Sequence, residues 1–106
     1  MPNDQLVVQL PLSEGTDFDR LLHVEETLMN AFTRGEVAQV DGHDMGAGGF
    51  NIFISVNGDR EAALAKVEEC LTRRGVLEQA RIARRSATGE GYEVIRPRGL
   101  AGAFAL

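Results

Sequence analysis

Asp41, His43 and Asp44 stand close together in the segment VDGHDMGAGGFNIFISV, Val40 to Val56. On an extended strand an Asp-x-His spacing puts both side chains on one face. There the carboxylate fixes the imidazole tautomer and leaves the other ring nitrogen to act as a general base. The same pair supplies part of a metal site, which needs at least one further ligand. None is spaced to join it: alternation turns Asp44 to the other side of the strand unless the hairpin's bulge turns it back, His23 lies on the outer side of a predicted helix, and the only cysteine is Cys70. Arg81, Arg84 and Arg85 form a second cluster. Such arginines can grip an anionic ligand, or pair with acids on neighbouring elements, here Asp41 or Glu93. Gly46 to Gly49 (GAGG) has the composition of a phosphate loop, but such a loop presents its amides at a helix N-terminus. Here a strand follows, so a bulged glycine hairpin with positive φ is the simpler reading. No G-x-S-x-G elbow is present, and Ser13, Ser55 and Ser86 have no histidine near them in sequence. Cys70, at helix-core spacing, reads as an inert buried thiol. Neither a cofactor nor a metal is therefore expected.

The totals bound the class of protein. A chain of 106 residues, 43% hydrophobic and 25% charged, suits one soluble domain with a modest core. No apolar run approaches the ~20 residues that span a bilayer. MPNDQ lacks the basic and apolar regions of a secretory signal, and one cysteine allows no intrachain disulfide. Together these favour the cytoplasm of a bacterium-like cell and no membrane partner. The net charge of −5 is uneven: residues 1–70 hold 13 acidic and 4 basic side chains, residues 71–106 hold 3 and 7. An acidic total argues against nucleic acid as the main partner.

The elements that must position these residues follow from periodicity. Leu6 to Leu12 is a nearly all-apolar strand ended by Pro11. SEGTD starts a helix over about Phe18 to Phe32, with Thr16 or Asp17 as N-cap and a stop near Gly35. Glu36 to His43 alternates weakly and suits an exposed edge strand. Phe50 to Val56 is a strong strand. Asn57-Gly58-Asp59 opens a second helix, about Arg60 to Arg74, with Ala63, Leu64, Val67, Cys70 and Leu71 as its apolar stripe and Gly75 after its end. A strand from about Gln79 to Ser86, the turn ATGEG and a short strand Tyr92 to Arg96 complete residues 1–98. Residues 99–106 form a tail that lies frayed or docks Phe104 and Leu106 on the domain or a second subunit. The order β-α-β-β-α-β is the ferredoxin-like split βαβ arrangement: an α+β sandwich with two helices on one face of an antiparallel sheet, and a short fifth strand.

If Ile52 and Ile54 meet the helices, the opposite face carries Val7, Gln9, Gln39, Asp41, His43, Asn51, Phe53, Ser55, Arg81, Ala83 and Arg85. Gln39, Asp41, His43, Asn51, Phe53, Arg81 and Arg85 are the expected ligand or partner surface. On the first helix Phe18, Leu21, Leu22, Leu28, Met29 and Phe32 share one face, and Glu25 falls in the middle of it. A carboxylate there needs a partner or an escape to solvent, because burying it alone costs several kcal/mol. Arg84, on the helix side with Ala80 and Ile82, is the candidate partner; the backbone N–H groups of the glycine hairpin are another.

The segment DGHDMGAGGFNIF, followed by a short turn and an amphipathic helix, resembles a set of small, uncharacterised bacterial proteins that share a D-G-x-x-x-G-x-G-x-x-x-I/L-F segment in a βαββαβ domain. The resemblance spans about Asp41 to Leu71. It implies a fold and carries no activity to transfer. Where many such proteins begin the following strand with Gly-Glu, this chain has Gly49-Phe50. The leading functional expectation is a non-catalytic binding module, homodimeric through the open sheet face or the edge strand, regulatory or protective by binding another protein, as small acidic immunity-type proteins are. The alternative is a small-ligand or catalytic domain that uses Asp41, His43 and Arg81 or Arg85. The two differ in whether these side chains converge in a concave pocket.

Overall fold

The computed structural model describes residues 4–12, 15, 17–32, 37–46, 49–85 and 91–96. Thr16, the helix stop near Gly35, the strand start at Glu36, Ala47 and Gly48 of the hairpin turn, Ser86 with most of the turn after it, and the tail lie outside them. The chain is an α+β protein whose elements are β1 (Asp4–Leu10), α1 (Phe18–Ala31), β2 (Ala38–Gly46), β3 (Gly49–Val56), α2 (Arg60–Arg73), a 3-10 turn (Leu77–Gln79), β4 (Arg81–Arg85) and β5 (Glu93–Arg96). The five strands form one antiparallel sheet in the order β2-β3-β1-β4-β5. β3 thus separates β1 from β2, and β1 separates β3 from β4. The two apolar strands occupy the interior and β2 lies at an edge.

Both helices are capped as their sequences imply. The Asp17 carboxylate accepts from the backbone N–H of Asp19 at 3.1 Å, and the Asp59 carboxylate from that of Glu61 at 2.9 Å. Each satisfies an otherwise orphaned helix N–H. α2 ends in paired closing bonds, Val76 N–H to the Leu71 carbonyl at 2.9 Å and Gly75 N–H to that of Thr72 at 3.0 Å. One apolar core joins Leu21, Val24, Leu28 and Phe32 of α1, Ala63, Val67, Cys70 and Leu71 of α2, and Leu6, Val8, Leu10, Phe50, Ile52, Ile54 and Ile82 of the sheet. Both helices therefore lie over the sheet face that Ile52 and Ile54 present. Arg74 and the lone lysine tie the helices together: Arg74 Nε donates to Thr27 Oγ1 at 2.7 Å, and Lys66 Nζ to the Ala31 carbonyl at 3.3 Å. Two side chains expected in the α1 stripe are not buried: Phe18 is 38% and Met29 51% exposed. They lie on the flank of α1 rather than beneath it.

The alternation of β2 is broken. Its pairing with β3 runs Val40 with Ile54, then Gly42 with Phe53, so Asp41 is an extra residue in a β-bulge. Upstream of the bulge Ala38 and Val40 pack toward the helices. Downstream every residue is turned over relative to simple alternation. His43 now pairs with Ile52 on the helix side, and Asp44 with Asn51 on the other.

Glycine is required on both strands of this hairpin. Gly42 and Gly49 both have φ of 139°, which L side chains rarely adopt. At Gly42 an added Cβ would meet nothing within 4 Å, whereas at Gly49 it would lie 2.4 Å from the Leu10 carbonyl oxygen on β1. Gly42→Ala should therefore cost only the conformational strain, about 1–2 kcal/mol. Gly49→Ala must also push β1 and β3 apart and should cost at least about 2 kcal/mol more. Urea unfolding of the two variants measures the difference; equal losses would show that the close approach of β3 to β1 is not limiting.

Candidate functional site

The bulge builds the arrangement that most resembles a site. Both carboxylate oxygens of Glu25 lie 2.9 Å from Nδ1 of His43. The Glu25 side chain is 12% exposed and that of His43 31%. The imidazole stacks on the fully buried Phe50, with ring centroids 4.7 Å apart and planes at 25°. Phe18 approaches the same Phe50 ring edge-on at 5.7 Å and 86°. Each member is placed by a different element: Glu25 by the middle of α1, His43 by the turned-over half of β2, Phe50 by β3.

The partner of Glu25 is thus His43, not Arg84 and not the backbone of the glycine hairpin. Arg84 does point to the helix side, opposite Leu6 of β1, but it stands across the sheet from α1. Its carboxylate neighbours are Asp4 and Glu93, each at 3.7 Å. Distance across the sheet decides this: β4 is separated from β2 by β1 and β3. The solvent escape considered for Glu25 is also largely closed.

Asp41 and His43 do not share a face. Asp41, displaced by the bulge, accepts a hydrogen bond from the Ser55 hydroxyl on the side away from the helices. On that side a polar chain crosses three strands: Gln9 Nε2 donates to Asn51 Oδ1 at 3.0 Å, and Asn51 Nδ2 to Asp44 Oδ1 at 2.9 Å. Of the expected partner surface, Gln39, Asp41, Arg81 and Arg85 are exposed, Phe53 is half-buried and Asn51 is buried. Val7, Gln9, Asn51 and Ala83 are all closed to solvent within the single chain. The centre of this face is therefore not an open platform, contrary to the expectation from alternation alone.

Chemically, a carboxylate on Nδ1 leaves Nε2 of His43 as the nitrogen able to exchange a proton. Proton transfer also needs a cavity that seats a substrate against that nitrogen. Cavities are formed by Arg60, Glu61, Leu64, Arg84, Glu93, Val94 and Ile95, and by Thr72, Gly75, Leu77, Glu78 and Gln79. Neither takes in Asp41, His43, Arg81 or Arg85. Among the described residues no His, Cys, Asp and Glu side chains gather as metal ligands would, and no helix is long and apolar enough to cross a membrane. Sequence reasoning missed the Glu25–His43 pair, although the misplaced acid signalled that a partner was needed. It also missed the exposed flank of Phe18, Met29 and Met45.

The titration of Cys70 is displaced. Burial pushes its thiol above the ordinary value of 9.0; the Arg73 charge opposes the shift and that of Glu69 adds to it. A group whose acid form is favoured by folding contributes stability in full below the unfolded-state value and loses it as pH rises beyond. Unfolding measured from neutral pH to above about pH 9 should show an alkaline fall in stability that Cys70→Ala reduces. An unchanged alkaline limb in that variant would show the thiol to be irrelevant to it.

The Glu25–His43 pair is testable by a double-mutant cycle. Glu25→Ala and His43→Ala should each destabilise the protein, with a coupling of about 1–2 kcal/mol, whereas Glu25→Ala and Arg84→Gln should be additive. Coupling to Arg84 and none to His43 would reverse the assignment. No protein-family model, curated protein or solved structure matches the chain, so the reading of this site rests on its geometry.

Proposed function

We propose that the chain is a non-catalytic protein-binding module of ferredoxin-like βαββαβ topology, extended by a fifth strand, and that it acts as a homodimer through β2. The observation that carries this reading is an edge strand flanked by exposed apolar side chains. β2 is nine residues long and ends the sheet. On it Met45 is 56% exposed, and on the α1 flank beside it Met29 is 51% and Phe18 38% exposed. Phe18, Leu22, Glu25 and Met29 recur at four-, three- and four-residue spacing and so line one flank of α1. The contact of Glu25 with His43 marks that flank as the one toward β2.

A second copy covers both features at once. Antiparallel pairing of β2 with β2 of another molecule, about a two-fold axis perpendicular to the sheet, brings the two α1 flanks together on the same face. The apolar side chains of each would cover those of the other. The charges at the edge are already engaged: Glu25 with His43, Asp41 with Ser55, Asp44 with Asn51. Asp41 and Asp44 keep their charge, but they lie on the sheet side away from the α1 flank, so the apolar contact forms on the other face. The closed centre of the other sheet face directs association to the edge rather than to that face. A regulatory or protective role through another protein uses the same surface. The separation of Asp41 from His43 weighs against the catalytic alternative.

Light scattering on a sizing column should give twice the 11.5 kDa chain mass at concentrations of about 100 µM, with an interface of standard size. Met45→Asp should weaken association by at least about tenfold while leaving unfolding unchanged. A monomer at that concentration, or an unaffected dimer in Met45→Asp, would retire the β2 interface.

A further inference from the structure

We infer that the cavity between the start of α2 and the β4–β5 edge binds a small zwitterion of the amino-acid type, carboxylate to Arg84 and Arg60, ammonium to Glu61 and Glu93. The cavity has a volume of about 300 Å³ and is lined by Arg60, Glu61, Leu64, Arg84, Glu93, Val94 and Ile95. That is the lower end of the range for small-ligand sites. Leu64, Val94 and Ile95 provide its apolar wall, and the ionic groups are of both signs.

The guanidinium groups are under-served. Arg84 Nε is buried and has no hydrogen-bond partner among the described residues. The nearest carboxylates lie beyond hydrogen-bond reach: Asp4 at 3.7 Å from Nε and Glu93 at 3.7 Å from an Arg84 terminal nitrogen. Arg60 reaches Asp4 only at 4.0 Å. Two planar forks of donors thus converge with loose ion pairs where bidentate hydrogen bonds are the stronger alternative. A ligand carboxylate can supply them through the terminal nitrogens of Arg84 and Arg60, whose side chains are 27% and 39% exposed, whereas Arg84 Nε itself is closed to the cavity. Glu61 and Glu93 line the cavity together with the two arginines, so a bare anion meets carboxylates as well as guanidiniums. A ligand that brings its own cation pairs it with Glu61 or Glu93 and sets its aliphatic part on Leu64, Val94 and Ile95. This cavity lies at the β4–β5 side of the sheet, away from β2, and stands independently of dimerisation.

The test uses the full chain labelled for NMR and four probes: L-leucine, 4-methylpentanoate (its acid without the amine), 3-methylbutylamine (its amine without the acid) and inorganic phosphate. L-Leucine should shift the backbone amides of Leu64, Arg84, Val94 and Ile95 saturably in the millimolar range, and each half-ligand should bind at least about tenfold more weakly. Glu93→Gln, at a side chain 75% exposed, should weaken leucine and leave methylpentanoate unchanged. Arg84→Gln should abolish leucine binding; Arg60→Gln, at a more exposed arginine, should weaken it should the former not fold. No saturable shift with leucine, equal binding of leucine and methylpentanoate, or tighter binding of phosphate than of leucine would each overturn the assignment.

Discussion

A carboxylate on the apolar side of α1 governs how this hairpin is built. Glu25 sits one turn from Leu21 and Leu28, and only 12% of its side chain reaches solvent. An ion so placed loses several kcal/mol of hydration unless a partner restores it. The neighbouring element is β2, and regular alternation from Val40 would offer Asp44 to the helix side. Two facing carboxylates would compound the cost. The bulge at Asp41 replaces that acid with His43, whose Nδ1 meets both carboxylate oxygens. It also sends Asp44 to the opposite face, where Asn51 receives it. One inserted residue thus resolves two electrostatic conflicts, and Gly42 supplies the backbone angle that the insertion requires.

The same logic distributes charge over the rest of the domain. The acidic first part of the chain and the basic last part meet in the folded state: Arg96 lies 3.1 Å from Glu68, and Arg84 is flanked by Asp4. Such partly exposed pairs each contribute little to stability. Their arrangement nevertheless brings basic side chains of the last part against acids of the first. It also explains why Arg84 was unavailable to Glu25: the arginine serves the N-terminal strand beside it, and two strands intervene before α1's flank.

Much of the architecture was legible because period and caps carry it. The alternation Phe50, Ile52, Ile54, Val56 identified the buried side of β3, and all four are buried. Asp17 and Asp59 announced the helix starts. A bulge was legible in the glycines of the hairpin, but its place at Asp41 was not, since an Asp-Gly pair reads equally well as a turn or a strand end, and a single inserted residue reverses every later side chain. Errors in the site follow from that one residue: Asp41 and His43 were placed together, and His43 was placed opposite to Glu25. Phe18 and Met29 were misjudged for another reason. Helical periodicity defines an arc, but the width of the arc that is covered depends on where the sheet ends. At an edge strand the outer part of the arc has nothing beneath it.

That uncovered arc and the bulge belong to the same edge, and together they restrict what can pair there. A long regular edge strand accepts another strand in many registers, which is the route to aggregation. In β2 the bulge interrupts the outer row of backbone groups at Asp41, so a regular ladder can run only over the segments on either side of it. His43 to Gly46 is the segment that carries Met45, with Phe18 of α1 packed on the neighbouring Phe50. Upstream, Gln39 and Asp41 present polar side chains and a kinked backbone. The electrostatic repair of Glu25 therefore also divides the edge: Asp41 ends one run of regular pairing, and His43 to Gly46 forms another that carries the exposed Met45.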